Sequence, residues 1–178
     1  MLQKRIMPCL LIKDKRLVKT INFKNPKYIG DPVNAVKIFN DKEVDELVIL
    51  DINASKANKI DFDLLNDLTS ECFMPLAYGG GVKSINDFKT LFSIGIEKVI
   101  VNSLLFTNPK IVIRAIKEFG SQSVVASIDI FNNKIFSYLN HSISYSIDQY
   151  IKFIDSLCVG EILLTSVNNE GTWSGYDT

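Results

Sequence analysis

ELVILDIN at Glu46–Asn53 and EILLTSVN at Glu161–Asn168 match position by position in character, 115 residues apart. Each runs from a glutamate through an apolar stretch to a polar end and an asparagine. A strand that returns as the second strand of another series marks a chain assembled from two similar halves. Two four-strand halves close as an eight-stranded barrel, so the repeat separates a barrel from an open doubly wound sheet.

The rest of the chain supplies the alternation that such a barrel requires. Arg5 to Ile12 is a nearly continuous apolar run of strand length, the pattern of a strand covered on both faces. Lys13 to Gly30 is polar and carries Lys13, Lys15, Arg16, Lys19, Lys24 and Lys27, too long for an ordinary connection and so a candidate functional loop. Asp31-Pro32 caps and starts a helix, with Val33, Val36, Ile38 and Phe39 as its apolar positions, and Glu46 to Asp51 is the second strand. Asp61 to Cys72 is helical, and Met74 to Tyr78 is the third strand. Ser84 to Ile94 is a helix closed by Gly95, Lys98 to Asn102 a strand, and Asn108-Pro109 starts a helix ending at Phe119-Gly120. Ser123 to Asp129 is the fifth strand, Ile130 to Ser144 a hairpin around Asn132-Asn133, Ile147 to Leu157 a helix and Glu161 to Ser166 the sixth strand. Strict alternation implies a parallel sheet with right-handed crossovers. The expected fold is α/β, a (βα)8 TIM-type barrel with about six βα units, residues 1–178 forming one incomplete domain. On this reading the barrel stops two units short and the GTWSGYDT ending is a cut inside a loop or helix start.

Composition narrows the function. With 47% hydrophobic and 22% charged residues the chain is a globular one, and its 20 basic and 20 acidic side chains cancel. It lacks the basic footprint that nucleic-acid or anionic membrane binding leaves. No stretch reaches the ~18 apolar residues of a membrane span and the apolar run within the N-terminal MLQKRIMPCLLI is too short for a signal sequence, so a cytoplasmic protein is expected. Cys9, Cys72 and Cys158 are odd in number and widely spaced in apolar surroundings, which reads as three buried thiols. No metal site and no cofactor are indicated.

PLAYGGGVKS, Pro75 to Ser84, carries the clearest chemistry. Three glycines let bare backbone N–H groups approach a ligand. Ser84 followed by Asp87 forms a capping-box pattern, so the positive end of a helix points back at the glycines, an arrangement suited to a phosphate. A plain flexible turn fits the same residues. In a barrel the active site lies at the C-terminal ends of the strands. Those ends carry Leu11, Asp51, Gly79 to Gly81, Asn102-Ser103, Asp129 and Thr165-Ser166. Asp51 and Asp129 facing one mouth, with the glycine loop between them in sequence, suit acid–base work on a phosphorylated small molecule. Alternatively the two aspartates cap neighbouring loops. At the opposite ends Arg5, Glu46, Lys98 and Glu161 each start a strand, two of each sign, as a salt-bridged barrel floor would. His141 reads as a solvent-facing spectator, and Trp173 and Tyr176 as packing residues.

KRIMPCLLIKD, VKTINFKN, GDPVNAVKIFN, DELVILDI, PLAYGGGVKS, EKVIVNS, FGSQSVVASID and GEILLTSVNNEGTWSGYDT follow one another as in the cyclase subunit of imidazole glycerol phosphate synthase, a resemblance that covers essentially all 178 residues. It implies a (βα)8 barrel, a lyase of histidine biosynthesis, that accepts ammonia from a glutaminase partner. That ammonia is added to a phosphorylated ribulosyl aminoimidazole carboxamide, releasing imidazole glycerol phosphate and an aminoimidazole carboxamide ribotide. By position Asp129 matches a catalytic aspartate and Lys19 the mobile-loop lysine. Gly80 and Gly81 with Asn102 and Ser103 match one phosphate site, and Asp51 and Thr165 further mouth residues. Arg5, Glu46, Lys98 and Glu161 match the charged gate through which ammonia enters. The family's second catalytic aspartate falls on Leu11, which can neither donate nor accept a proton. Glu170 stands where an acidic residue precedes the glycine matched by Gly171, and the second phosphate site lies in strands beyond residue 178. Leu11 together with FKNPKYIGDP (Phe23–Pro32) resembles a branch found in surface-polysaccharide pathways. Members of that branch resemble partners of an amidotransferase that makes acetamidino sugars. Two functions follow: a cyclase, or a cyclase-impaired subunit that activates a glutaminase and conducts ammonia to another enzyme. A phosphosugar-binding barrel unrelated to ammonia would explain the glycines but not the four floor charges.

Overall fold

The computed structural model describes residues 4–57, 59–137 and 145–175. The chain divides into two compact units, one holding the described residues up to Lys19 with Pro26–Val99, the other Thr20–Asn25 with the described residues from Ile100 onward.

In the first unit β1 (Cys9–Lys13), β4 (Leu47–Asp51) and β5 (Leu76–Gly79) pair in parallel, with Ile12 opposite Asp51 and Leu50 opposite Gly79. β2 (Arg16–Ile21) lies antiparallel on β1, Leu11 opposite Val18, and β3 (Lys24–Gly30) continues the hairpin outward. The helices α1 (Pro32–Asp41), α2 (Ala54–Ala57), α3 (Phe62–Glu71) and α4 (Ile85–Ser93) occupy the crossovers. Leu47 and Ile49 are buried completely, as are Leu68, Phe88 and Leu91 from the helices, which accounts for the unbroken apolar run of β4. Lys98 and Val99 of β6 (Lys98–Val101) close this unit, and Ile100 and Val101 open the next.

The second unit continues with α5 (Ser103–Thr107), α6 (Pro109–Phe119), a 3-10 turn at Ser121–Ser123, β7 (Val124–Phe131), β8 (Lys134–Phe136), α7 (Ile147–Leu157) and β9 (Glu161–Ser166). β9 runs parallel to β7, Val125 opposite Glu161 and Asp129 opposite Thr165, while β8 turns back on β7. On α7, Tyr150 stacks on Phe106 with ring centroids 5.1 Å apart. The strand–helix alternation is that of a (βα)8 TIM-type barrel, of which the described residues carry six parallel strands.

Most expected elements form within a residue or two of their predicted bounds, and Asp31, Asp61 and Ser84 cap their helices by accepting from Asn34 N, Leu64 N and Asp87 N. Four expectations are corrected. Lys13 to Gly30 is a pair of strands rather than a loop, its turns made by Asp14-Lys15 (φ 49° and 64°) and Asn22-Phe23 (φ 51° and 60°). The first strand begins at Cys9 instead of Arg5, after Pro8, which has no N–H to donate. The thiols are not buried: Cys9 and Cys158 are exposed and Cys72 is partly so, Cys158 because it takes the left-handed position that ends α7. Trp173 is 94% exposed and packs no core. The hairpin around Asn132-Asn133 forms as β7–β8, with its continuation beyond Ser137, His141 included, outside the described residues, as is Tyr176.

Candidate functional site

In the first unit the strand ends are held by backbone contacts. Asp51 Oδ1 accepts from Asn53 N (2.9 Å) and Ala54 N (3.0 Å), and so caps α2, the role that Asp commonly fills. Burial pushes its carboxyl above the usual range against those two donors, and the Asp14 and Asp61 charges push the same way. Gly80 (φ 140°) and Gly81 (φ 69°) lie against the same connection. A Cβ on Gly80 would stand 2.6 Å from the carbonyl oxygen of Asp51, and one on Gly81 3.1 Å from Ala54 atoms. Glycine is therefore required by the close approach to the β4–α2 connection as well as by φ. Gly81 N donates to Ser55 Oγ (3.3 Å). The start of α4 is engaged by its own capping box, since Asp87 Oδ2 accepts from Lys83 N and Ser84 N, both at 2.8 Å, and Ser84 Oγ accepts from Asp87 N. Leu11 sits half-buried in the middle of β1, opposite Val18 and Leu50, rather than at the strand's end. Lys19 is exposed on β2 between buried Val18 and Thr20.

In the second unit three of the anticipated residues come together. Asp129 stands opposite Thr165 across the β7–β9 ladder, and Asn102 Nδ2 donates both to Asp129 Oδ2 and to the carbonyl oxygen of Ser127, each at 3.1 Å. Burial pushes the Asp129 carboxyl up to about 7, the Thr165 hydroxyl offsetting part of the effect. A carboxyl that titrates there can hold or give up a proton at neutral pH. Ser103 opens α5 and its carbonyl accepts from Thr107 Oγ1 (3.0 Å). Gly171 (φ 70°) touches the carbonyl of Thr20 so closely that a Cβ would overlap it. Sequence reading missed what Glu170 does. Its carboxylate accepts from Thr20 Oγ1 (2.6 Å) and Phe23 N (2.9 Å), partners about 150 positions away that no local pattern reveals.

At the N-terminal ends Glu46 is the buried hub, 3% exposed, taking Lys98 Nζ at 2.6 Å and Arg5 Nη1 at 3.4 Å on the same Oε2. These three floor charges of the first unit are thus assembled. Glu161, in the second unit, opens β9 opposite Val125. Among the described residues no helix is long and apolar enough to cross a membrane.

Known proteins resemble the chain along its length. The family described as "Histidine biosynthesis protein" matches residues 5–178. "Putative imidazole glycerol phosphate synthase subunit hisF2" of Pseudomonas aeruginosa is 42% identical over 99% of this chain and 73% of its own length. "Imidazole glycerol phosphate synthase subunit HisF" of Hydrogenobaculum sp. is 40% identical with the same two coverages, and that of Lactococcus lactis subsp. cremoris 42% identical over 99% and 71%.

Proposed function

The chain belongs to the histidine biosynthesis protein family, as a barrel subunit like those named imidazole glycerol phosphate synthase subunit HisF, and from that premise we propose that it takes ammonia from a glutaminase partner and adds it to a phosphorylated ribulosyl aminoimidazole carboxamide. The observation that carries this reading is Asp129, a carboxyl near 7 steadied by Asn102 and Thr165. In the protonated form it donates to an oxygen of the substrate; once ionised it accepts a proton from the incoming nitrogen. By the family's sequence pattern Lys19, Gly80, Gly81, Asn102 and Ser103 are assigned to the phosphorylated substrate, and Arg5, Glu46, Lys98 and Glu161 to the passage for ammonia.

One observation favours a second reading. By sequence position Leu11, opposite Val18 and Leu50 in the strand register, falls where the family carries its second carboxylate, and a leucine can neither donate nor accept a proton. A subunit so altered still activates a glutaminase and passes ammonia on, for instance to an amidotransferase making acetamidino sugars of a surface polysaccharide. The two readings part in a single assay of the full-length protein supplied with ammonium and the ribulosyl substrate. Cyclisation abolished by Asp129→Asn supports the first. Glutaminase stimulation with cyclisation lowered about 10²–10⁴-fold, and raised again by Leu11→Asp, supports the second. Turnover that ignores both substitutions would defeat the assignment of Asp129.

A further inference from the structure

The tip of the β2–β3 hairpin is fastened to the connection that follows β9, and Glu170 accepts three of the five hydrogen bonds described there. Both oxygens of Glu170 are used, Oε1 by Thr20 Oγ1 (2.6 Å) and Oε2 by Phe23 N (2.9 Å), and the Glu170 carbonyl accepts from Asn22 N (3.0 Å). Asn22 Nδ2 adds donors to the carbonyls of Val167 (2.9 Å) and Asn168 (2.7 Å). Asn168 is itself paired with Asn132, by Asn132 N to Oδ1 and Nδ2 to Asn132 Oδ1, both 2.8 Å. The Phe23 ring stands edge-on to Phe136 with centroids 6.3 Å apart, and Gly171 presses on the Thr20 carbonyl. Thr20 is 4% exposed although it lies on a hairpin.

The conformation of the tip needs this support. Asn22 and Phe23 both have φ above 50°, a region that an aromatic residue rarely adopts unless its surroundings impose it. A carboxylate is the one side chain that accepts at two oxygens, and it receives two donors here. We propose that Glu170 is a positioning residue that latches the β2–β3 hairpin, and so fixes the backbone of Lys19, one peptide bond from Thr20. The inference rests on the reading of Lys19 as a substrate ligand only for its functional half; the latch itself stands on the hydrogen bonds.

Three variants of the full-length protein test it. Glu170→Gln keeps the shape but offers one acceptor and turns an NH2 toward the Phe23 N–H. Thr20→Val removes the donor and Thr20→Ser keeps it. Amide hydrogen exchange of Asn22 and Phe23 should quicken about tenfold in Glu170→Gln and severalfold in Thr20→Val, and stay near the parent rate in Thr20→Ser. Unchanged protection in Glu170→Gln overturns the latch. Binding of imidazole glycerol phosphate should then weaken by a similar factor in Glu170→Gln and Lys19→Ala, the double variant being no worse than Lys19→Ala alone. Normal binding by Glu170→Gln with a loosened tip overturns the positioning role. Normal binding by Lys19→Ala overturns the lysine reading and leaves the latch intact.

Discussion

Asp129 is a carboxyl kept largely out of water, and its proton is held to about pH 7 for that reason. Between the unfolded value near 3.8 and about 7 the folded chain binds this proton more tightly than the unfolded chain. Its contribution to stability is therefore present at low pH and lost as pH rises through 7. Asp129→Asn should flatten that part of the profile. Urea midpoints measured at pH 5 and pH 8 should differ less in the variant than in the parent, and an equal difference would show that the carboxyl titrates normally. Which residues matter was legible here to differing degrees. Asp129, Asn102 and Thr165 were anticipated because each ends a strand, and strand ends converge by topology. Glu170 was not, because its partners Thr20 and Phe23 are remote in sequence and the contact depends on turn geometry. Asp51 was anticipated for position, yet its oxygen is occupied by the α2 backbone, the alternative that the sequence left open.

Helices announced themselves through their caps. Ser84 and Asp87 read as a capping box and form one, Asp31 caps as expected, and Asp61 caps the helix that it was expected to open. Ser84→Ala should lower stability by about 1 kcal/mol, measurable as a shifted denaturation midpoint with unchanged slope. Gly81→Val should be worse, since φ 69° and a Cβ 3.1 Å from Ala54 oppose it together. A loss of about 1–3 kcal/mol is expected, with weakened binding of phosphorylated ligand; a variant of parental stability would argue that the loop yields easily. The β2–β3 hairpin escaped notice because its signals are missing. Asp14-Lys15 and Asn22-Phe23 turn in the left-handed region without a glycine, so the usual dipeptide mark of a hairpin is absent. Its six cations also suggested a loop, whereas Leu17, Val18 and Thr20 are buried between them.

For the molecule as a whole, the barrel class followed from the repeat of Glu46–Asn53 at Glu161–Asn168, and both copies are parallel strands, β4 and β9. On the proposed function, stability and ammonia passage would meet at Glu46. Glu46→Ala leaves Lys98, whose side chain is 13% exposed, without this carboxylate, and a loss of about 3–5 kcal/mol is expected. Arg5, 44% exposed, should matter less for stability, so Arg5→Ala tests ammonia transfer with the fold intact: glutamine-driven turnover should fall while ammonium-driven turnover holds. Equal loss with both nitrogen sources would remove Arg5 from the passage. The β2–β3 hairpin has a further consequence. The chain is neutral overall, yet residues 13–30 hold six cations and one acid, and β3 is exposed along nearly its whole length. A chain with no net charge thus carries a local excess of positive charge in this hairpin, and on the proposed function a phosphorylated ligand would be drawn toward it before making contact. The Debye length shortens from about 30 Å at 0.01 M salt to about 10 Å at 0.1 M, so the association rate should drop by roughly tenfold over that range while dissociation stays constant. Lys24→Glu with Lys27→Glu should erase the salt dependence of encounter and leave the bound complex as long-lived as before.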